Sequence, residues 1–280
     1  MSRNVLLTGA TGFVGRQVLQ ILLQRGQQVR LVIRPDKQPP SEAAGRIDVP
    51  LITPDLFKEE ASWWEEACRG VDTVIHLAWY AEPGKYLESS LNLDCLSGTL
   101  EIARGAARAG VRRWIGCGSC FEYDLRAGLL TTDTPLRPLT AYAAAKAAAF
   151  LALERWLPLQ GVEFAWCRLF YLYGEGEDAR RLVPYIRARL SAGEPAELTH
   201  GTQVRDYLEV REAARQIVAC ALGNARGAVN ICSGVAITVR ALAEQIADEY
   251  GRRDLLHFGA RPDNLTDPAR VLGQKTELRA

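Results

Sequence analysis

Three side chains in this chain of 280 residues have the types and spacing to move a proton: Ser119, Tyr142 and Lys146. Tyr142-Ala-Ala-Ala-Lys146 lies in an alanine-rich run. Its two functional residues are just over one helical turn apart, so they project from one face into one small volume. A phenol ordinarily titrates near ~10, and an ammonium beside it stabilises the phenolate, which predicts a lowered value for Tyr142. Ser119 follows a strand-like run, and its hydroxyl can donate to an oxygen on which charge develops. Such a trio serves an oxygen that gains or loses a proton.

The elements that must position these groups begin at the start of the chain. Asn4-Val-Leu-Leu-Thr8 is a short apolar run, followed by Gly9-Ala-Thr-Gly12-Phe-Val-Gly15 and an amphipathic pattern to about Gly26. This is strand, glycine turn and helix, in which the glycines permit close backbone approach and the new helix offers free N–H groups to a pyrophosphate. Gly9, Thr11, Gly12, Phe13, Val14 and Gly15 are therefore predicted to bind a dinucleotide. The next strand, Gln28 to Ile33, ends at Arg34, where a fold specific for NAD would place an acid. An arginine there favours the 2′-phosphate of NADP, with NAD as the alternative.

Residues 35–50 carry four prolines and read as a loop before a short strand, after which Asp55 and Leu56 are placed to meet the adenine. A helix is predicted over 58–69, a buried strand over 71–78 with Leu77 and Ala78 at its cofactor end, and a helix over 86–109 containing Asn92. A strand from Val111 delivers Ser119, the helix of Tyr142 and Lys146 runs to about Leu157, and a sixth strand covers 162–168. His76 reads as a satisfied core histidine at a strand end, since the three histidines lack metal-ligand spacing and no metal site is expected. Cys117-Gly-Ser-Cys120 has no second pair to make a zinc site, and its first cysteine ends a strand instead of starting a helix as a redox pair would.

Composition bounds the rest. The chain carries 34 basic and 33 acidic residues, a net charge of +1 without single-sign blocks, which gives no electrostatic case for nucleic acid or an anionic membrane. No run of about 18 apolar residues and no signal-peptide pattern is present, so a cytoplasmic protein is expected. Seven scattered cysteines, an odd number, read as reduced and mostly buried. Strands alternating with helices predict an α/β fold with a doubly wound parallel sheet, its ligand outside the strand C-terminal ends. Residues 1–168 form the expected dinucleotide-binding domain with the catalytic residues, and 169–280 mainly a small mixed substrate-binding lobe interleaved with it. Ala143–145 and Ala147–149 give the Lys146 helix small faces suited to close packing, as across a homodimer.

With Gly9, Gly12, Gly15, Ser119, Tyr142 and Lys146 in this order, the chain resembles the extended short-chain dehydrogenases/reductases, in the branch of NAD-dependent epimerases and dehydratases acting on nucleotide sugars. Further matches are His76-Leu-Ala78, Asn92 with Gly98-Thr99, Leu169 to Gly174, and Gly201-Thr-Gln-Val-Arg205-Asp206-Tyr207. The resemblance implies a Rossmann core in which Tyr142 is the general acid/base, Lys146 holds the nicotinamide ribose, Ser119 polarises a carbonyl, Asn92 joins the proton relay and Arg205 contacts a nucleotide diphosphate. It also implies a pocket shaped by Trp79, Tyr123, Tyr171 and Arg181.

Two departures narrow the chemistry, and a third bears on the substrate pocket. Dehydratases of this branch carry an Asp-Glu pair directly after the catalytic Ser/Thr, where Cys120 and Phe121 stand here. Members that both epimerise and reduce carry Cys and His where this chain has Phe121 and Arg181, and Arg211-Glu212 replaces the usual aspartate after Val210. The expectation is an NADPH-dependent reductase of the keto group, at C4, of a nucleotide-activated 4-keto-6-deoxy sugar. The alternatives are an NAD-retaining nucleotide-sugar 4-epimerase, a ketone reductase of the dihydroflavonol type, and a non-catalytic dinucleotide-sensing module.

Overall fold

The computed structural model describes residues 2–278 apart from Ala44, Arg46, Asp48, Leu265 and Thr266, and of Glu42 only the backbone. In chain order the elements are β1 (Asn4–Thr8), α1 (Phe13–Gln24), β2 (Gln28–Ile33), β3 (Leu51–Ile52), α2 (Ala61–Ala67), β4 (Thr73–His76), α3 (Leu91–Arg108), β5 (Arg113–Ser119), β6 (Leu129–Leu130), α4 (Ala141–Trp156) and β7 (Glu163–Leu169). There follow β8 (Tyr171–Tyr173), α5 (Leu182–Ser191), β9 (Ala196–Leu198), β10 (Val204–Glu209), α6 (Val210–Leu222), β11 (Gly227–Ile231), β12 (Ala236–Thr238), α7 (Val239–Tyr250), β13 (Leu256–Phe258) and β14 (Arg270–Gly273).

Seven strands form one parallel sheet in the order β11-β7-β5-β4-β1-β2-β3. Strands buried on both faces read as continuous apolar runs, and Val5, Leu6 and Leu7 of β1 are all inaccessible. One face is covered by α1 and α6 through Val18, Leu22, Ile217 and Val218, the other by α2, α3 and α4 through Trp64, Ile102, Ala106 and Phe150. The fold is the doubly wound α/β class predicted. Strand order reverses at β1, which lies between β2 and β4, and the crevice beyond this switch point is where such sheets bind ligands.

The predicted helix over 86–109 is broken. Tyr86–Glu88 is a separate 3₁₀ turn and α3 starts at Leu91. Ser89 is extended and its hydroxyl accepts from Leu91 N, while the Asn92 amide donates to the Ser89 and Tyr86 carbonyls, so polar side chains compete with the helical ladder.

Beyond the main sheet, β12-β10-β14-β6 form a mixed sheet with β8 added beside β10, and β13 pairs with β9. Helices α5 and α7 pack there through Val183, Ile186, Leu242 and Ile246. The chain crosses between the layers more than once: β6 joins the second sheet, whereas β11 returns to the edge of the first. No helix among the described residues is long and apolar enough to cross a membrane.

Candidate active site

The glycine turn is built from close contacts that exclude side chains. Gly9 has φ of 75°, and a Cβ there would stand 2.7 Å from the Ala78 nitrogen, so the ends of β1 and β4 abut. A Cβ on Gly15 would land inside the Gly9 carbonyl. Gly12 N donates to Gly9 O at 3.0 Å, and α1 then begins with Gly12 as a cap that offers no side-chain hydrogen bond and with no acid in its first turn. Uncapped first-turn N–H groups at the positive end of a helix, at a switch point, fit a pyrophosphate. Gly9, Thr11 and Gly12 lie in this turn and Phe13, Val14 and Gly15 in the first turn of α1, and Ala78 N is tied to the end of β1 by donating to the Thr8 hydroxyl at 3.3 Å.

The two other predicted cofactor stretches flank the same crevice. Arg34 follows β2, is more than half exposed, and faces Asp36 at 3.5 Å. The Asp55 carboxylate accepts from Phe57 N at 3.0 Å, while Leu56 packs on the core and Leu77 on its opposite face. His76 is buried between the Thr8 and Thr99 hydroxyls at 2.8 and 3.0 Å, and burial pushes its imidazole down to about 3. It is a neutral core histidine.

Ser119 ends β5 and caps a 3₁₀ turn, its hydroxyl accepting from Phe121 N at 3.2 Å while the Glu122 carboxylate accepts from Ser119 N at 2.7 Å. This reciprocal capping box fixes the serine. Glu122 is fully buried and also accepts from Trp166 Nε1 at 3.1 Å and Arg168 Nε at 2.7 Å. Its pattern, Ser followed three residues later by Glu, was legible in the sequence but was not read as a cap. Cys117 and Cys120 are buried thiols whose ionisation burial makes harder, which removes them from nucleophilic or redox chemistry.

Tyr142 and Lys146 lie in the first turns of α4, capped by the Thr140 hydroxyl accepting from Ala143 N. They share a face as predicted, but their electrostatics differ from the expectation. Burial raises the Tyr142 phenol well above its ordinary value, outweighing the lowering influence of the nearby Ser119 hydroxyl, and burial lowers Lys146. The reason is geometric: the Lys146 ammonium is 5.9 Å from the Tyr142 ring, donates to the Cys117 carbonyl at 2.6 Å, and sits 3.7 Å above the Trp79 ring. The phenol is held protonated. Trp79 and Tyr86 meet the Tyr142 ring edge to face, with centroids 6.4 and 4.8 Å away. Tyr86 was missed because the loop after β4 has no periodicity to place it.

Four predicted residues take places that their sequence reading did not anticipate. Asn92 is buried, and its amide accepts from Trp79 Nε1 at 2.9 Å and donates to two carbonyls, so its hydrogen bonds run to Trp79 and the 86–89 turn. Tyr123 is fully buried under the Arg168 guanidinium and its hydroxyl donates to Asn230 at 2.7 Å, so it is a core residue and not a pocket wall. The capping box turns it inward. Arg205 is buried, donating to the Val204 and Pro268 carbonyls at 2.8 Å and pairing with Asp267 at 2.6 Å, with its guanidinium 5.2 Å from the Tyr171 ring centroid. Trp79 turns its ring face to Lys146.

Tyr171 and Arg181 remain accessible on the second layer, where the Arg181 charge favours the Tyr86 phenolate but burial still raises that phenol. Between them burial lifts the Glu177 carboxyl to about 7. A contact of Arg180 with Glu82 at 4.0 Å links the two loops that meet near Tyr142.

Residues 5–232 match the model of the NAD dependent epimerase/dehydratase family. The chain belongs to this family. Within it, the chain is 23% identical over 274 residues to a dTDP-6-deoxy-L-talose 4-dehydrogenase (NAD(+)) of Aggregatibacter actinomycetemcomitans, covering 97% of this chain and 100% of that one. It is 28% identical over 261 residues to a dTDP-6-deoxy-L-talose 4-dehydrogenase (NAD(P)(+)) of Kitasatospora kifunensis, covering 89% and 79%. The fold matches a solved UDP-N-acetylglucosamine 4-epimerase from Methanobrevibacter ruminantium with a TM-score of 0.84 at 21% identity, over 98% of this chain and 90% of that one. This epimerase/dehydratase member is thus an NAD(P)-dependent enzyme of the extended short-chain dehydrogenase/reductase type, in a group of nucleotide-sugar dehydrogenases, dehydratases and epimerases.

Proposed function

We propose that the enzyme is a nucleotide-sugar 4-ketoreductase, reducing the C4 ketone of a 4-keto-6-deoxy sugar with NADPH, and running in reverse as a 4-dehydrogenase. The observation that carries this reading is the single proton-transfer centre beside Ser119. Cys120 and Phe121 bear no acid, and Glu122 is locked in a buried ion pair with Arg168, so none of the residues directly after Ser119 offers a free carboxyl for elimination of water. The talose 4-dehydrogenases among its relatives point the same way.

The uncapped α1 terminus, with Gly9, Gly12 and Gly15, would hold the pyrophosphate, and Arg34 after Ile33 would take the 2′-phosphate. A nicotinamide bound there would supply the hydride for the ketone carbon. Tyr142, kept protonated by burial, donates its proton to the oxygen as charge develops there, and the Ser119 hydroxyl donates a second hydrogen bond to that oxygen. Lys146 supplies positive charge that stabilises the resulting phenolate. Arg205 would bind the diphosphate by exchanging the Asp267 carboxylate for phosphate oxygens, with Tyr171 and Arg181 lining the sugar site in the lobe of residues 169–280. Exposed Leu93 on α3 and Leu151 on α4 would meet their copies in a homodimer, which sedimentation of Leu151→Glu against the parent chain tests.

The test is NADPH and NADH oxidation, followed by absorbance, against dTDP-, GDP- and CDP-linked 4-keto-6-deoxyhexoses, with Tyr142→Phe as control. Turnover with NADPH that the variant loses by about 10²-fold or more supports the reading. Interconversion of unreduced nucleotide sugars without net cofactor oxidation replaces it with a 4-epimerase.

A further inference from the structure

Two aromatic side chains that start far from α4 in sequence close around its two functional groups, and two more residues hold the aromatics in place. Trp79 follows β4, Tyr86 lies in the 3₁₀ turn, and Asn92 in the first turn of α3 connects them: it accepts from Trp79 Nε1 at 2.9 Å and donates to the Tyr86 carbonyl at 2.7 Å. The Trp79 ring is also steadied from outside by the edge of Phe57, with centroids 6.4 Å apart. The inner face of this bracket carries the Lys146 ammonium at 3.7 Å from the Trp79 centroid, and both aromatic rings stand nearly perpendicular to Tyr142, at 86° and 89°.

We propose that Trp79 is the positioning residue for Lys146, and that Asn92 acts in the reaction by fastening Trp79 and Tyr86 into one bracket around the proton-transfer pair. This rests on the reading of Tyr142 and Lys146 as that pair. A flexible four-carbon ammonium has many rotamers, and a π face presented at contact distance selects those that keep the charge inside the crevice. An indole held at its N–H by a buried amide cannot swing away without leaving that amide unsatisfied.

The groups facing Lys146 leave Trp79 this task. From β5 come the Cys117 carbonyl, which accepts a hydrogen bond, and the Cys117 thiol, which burial keeps protonated. From α3 comes the Cys95 thiol, raised likewise, and from β4 the neutral His76. Glu122 contributes at longer range but is engaged by Arg168, and Tyr142 on the same helix is a neutral phenol. Burial disfavours the ammonium, and Trp79 with one carbonyl supports it at contact distance.

The chain contains five lysines, 37, 58, 85, 146 and 275, so their side-chain methylenes resolve individually by NMR in protein labelled with 13C-lysine. The Lys146 signal is identified by its loss in Lys146→Arg. Over an indole face it should be displaced upfield of the other four and titrate below them. Trp79→Ala should abolish the displacement and lower the midpoint by about one pH unit, the worth of a partly desolvated cation–π contact. Trp79→Phe, which keeps a ring but not the N–H, should fall between, as should Asn92→Ala, which frees the indole.

A midpoint that stays or rises in Trp79→Ala, or a displacement that survives it, overturns the proposal. In turnover, the alkaline limb of the kcat/KM profile should shift down with the NMR midpoint. If no sugar substrate turns over, the functional reading fails while the titration still decides whether Trp79 holds Lys146.

Discussion

Replacing Glu122 by Gln tests the claim that the serine is positioned by a buried charge pair. Glu122 and Arg168 are 0% and 1% exposed, 2.7 Å apart, and the carboxylate receives Ser119 N and Trp166 Nε1 as well. Gln keeps one acceptor oxygen for Ser119 and Trp166 and turns an NH₂ toward Arg168, so the substitution isolates the ion pair. Arg168 is then a buried cation whose remaining neighbours are the rings of Tyr123 and Phe150, at 4.4 and 4.3 Å. Breaking one side of a buried pair costs about 3–5 kcal/mol, a large part of the roughly 5–15 kcal/mol that holds a domain together.

Urea unfolding should show a midpoint lower by about 1 M or more for Glu122→Gln and, separately, for Arg168→Met. In the double variant the uncompensated charge is gone. Its loss should therefore be smaller than the two single losses added together by at least about 2 kcal/mol. A Glu122→Gln protein within about 1 kcal/mol of the parent, or strict additivity in the double variant, would refute the reasoning.

Gly15→Ala should weaken NADPH binding, measured by fluorescence titration, at least about tenfold, because the new methyl displaces the Gly9 carbonyl at the proposed pyrophosphate site. Stability should fall with pH between about 6.5 and 3, since unfolded His76 takes up a proton that the buried ring refuses. That contribution is up to about 1.4 kcal/mol per pH unit, and His76→Gln should remove it from the slope of unfolding free energy against pH. Arg34→Ala should raise the KM for NADPH about tenfold or more and leave that for NADH unchanged in steady-state assays, reversing any preference that the 2′-phosphate confers.

What the sequence shows well is whatever a few neighbouring residues determine. The glycine spacing forces a turn, the apolar runs force buried strands, and the four-residue interval of Tyr142 and Lys146 forces a shared face, whatever the rest of the chain does. Contacts between distant segments leave no such trace. Nothing near Lys146 says that an indole 67 positions earlier covers its ammonium, or that Asp267 reaches Arg205. The sign of the Tyr142 shift follows the same division: proximity along the helix suggested a lowered phenol, whereas burial by Tyr86 and Trp79 raises it. Tyr123 shows a local signal overlooked, since a capped turn at Ser119 to Glu122 carries the next residue inward.

The edge position of β11 has a consequence for synthesis. On the ribosome, β7 is complete almost 60 residues before β11 emerges to pair with it. At about 5–20 residues per second, its outer backbone is an open edge for roughly 3–12 s, long enough to pair with another nascent chain. The strand reads Glu163-Phe-Ala-Trp-Cys-Arg168-Leu. A charge near each end interrupts an otherwise apolar segment, and Arg168 points inward, where an unregistered partner strand would have to bury it unpaired. The same arginine that, through Glu122, steadies Ser119 in the finished enzyme thus discourages aggregation while the enzyme is being made.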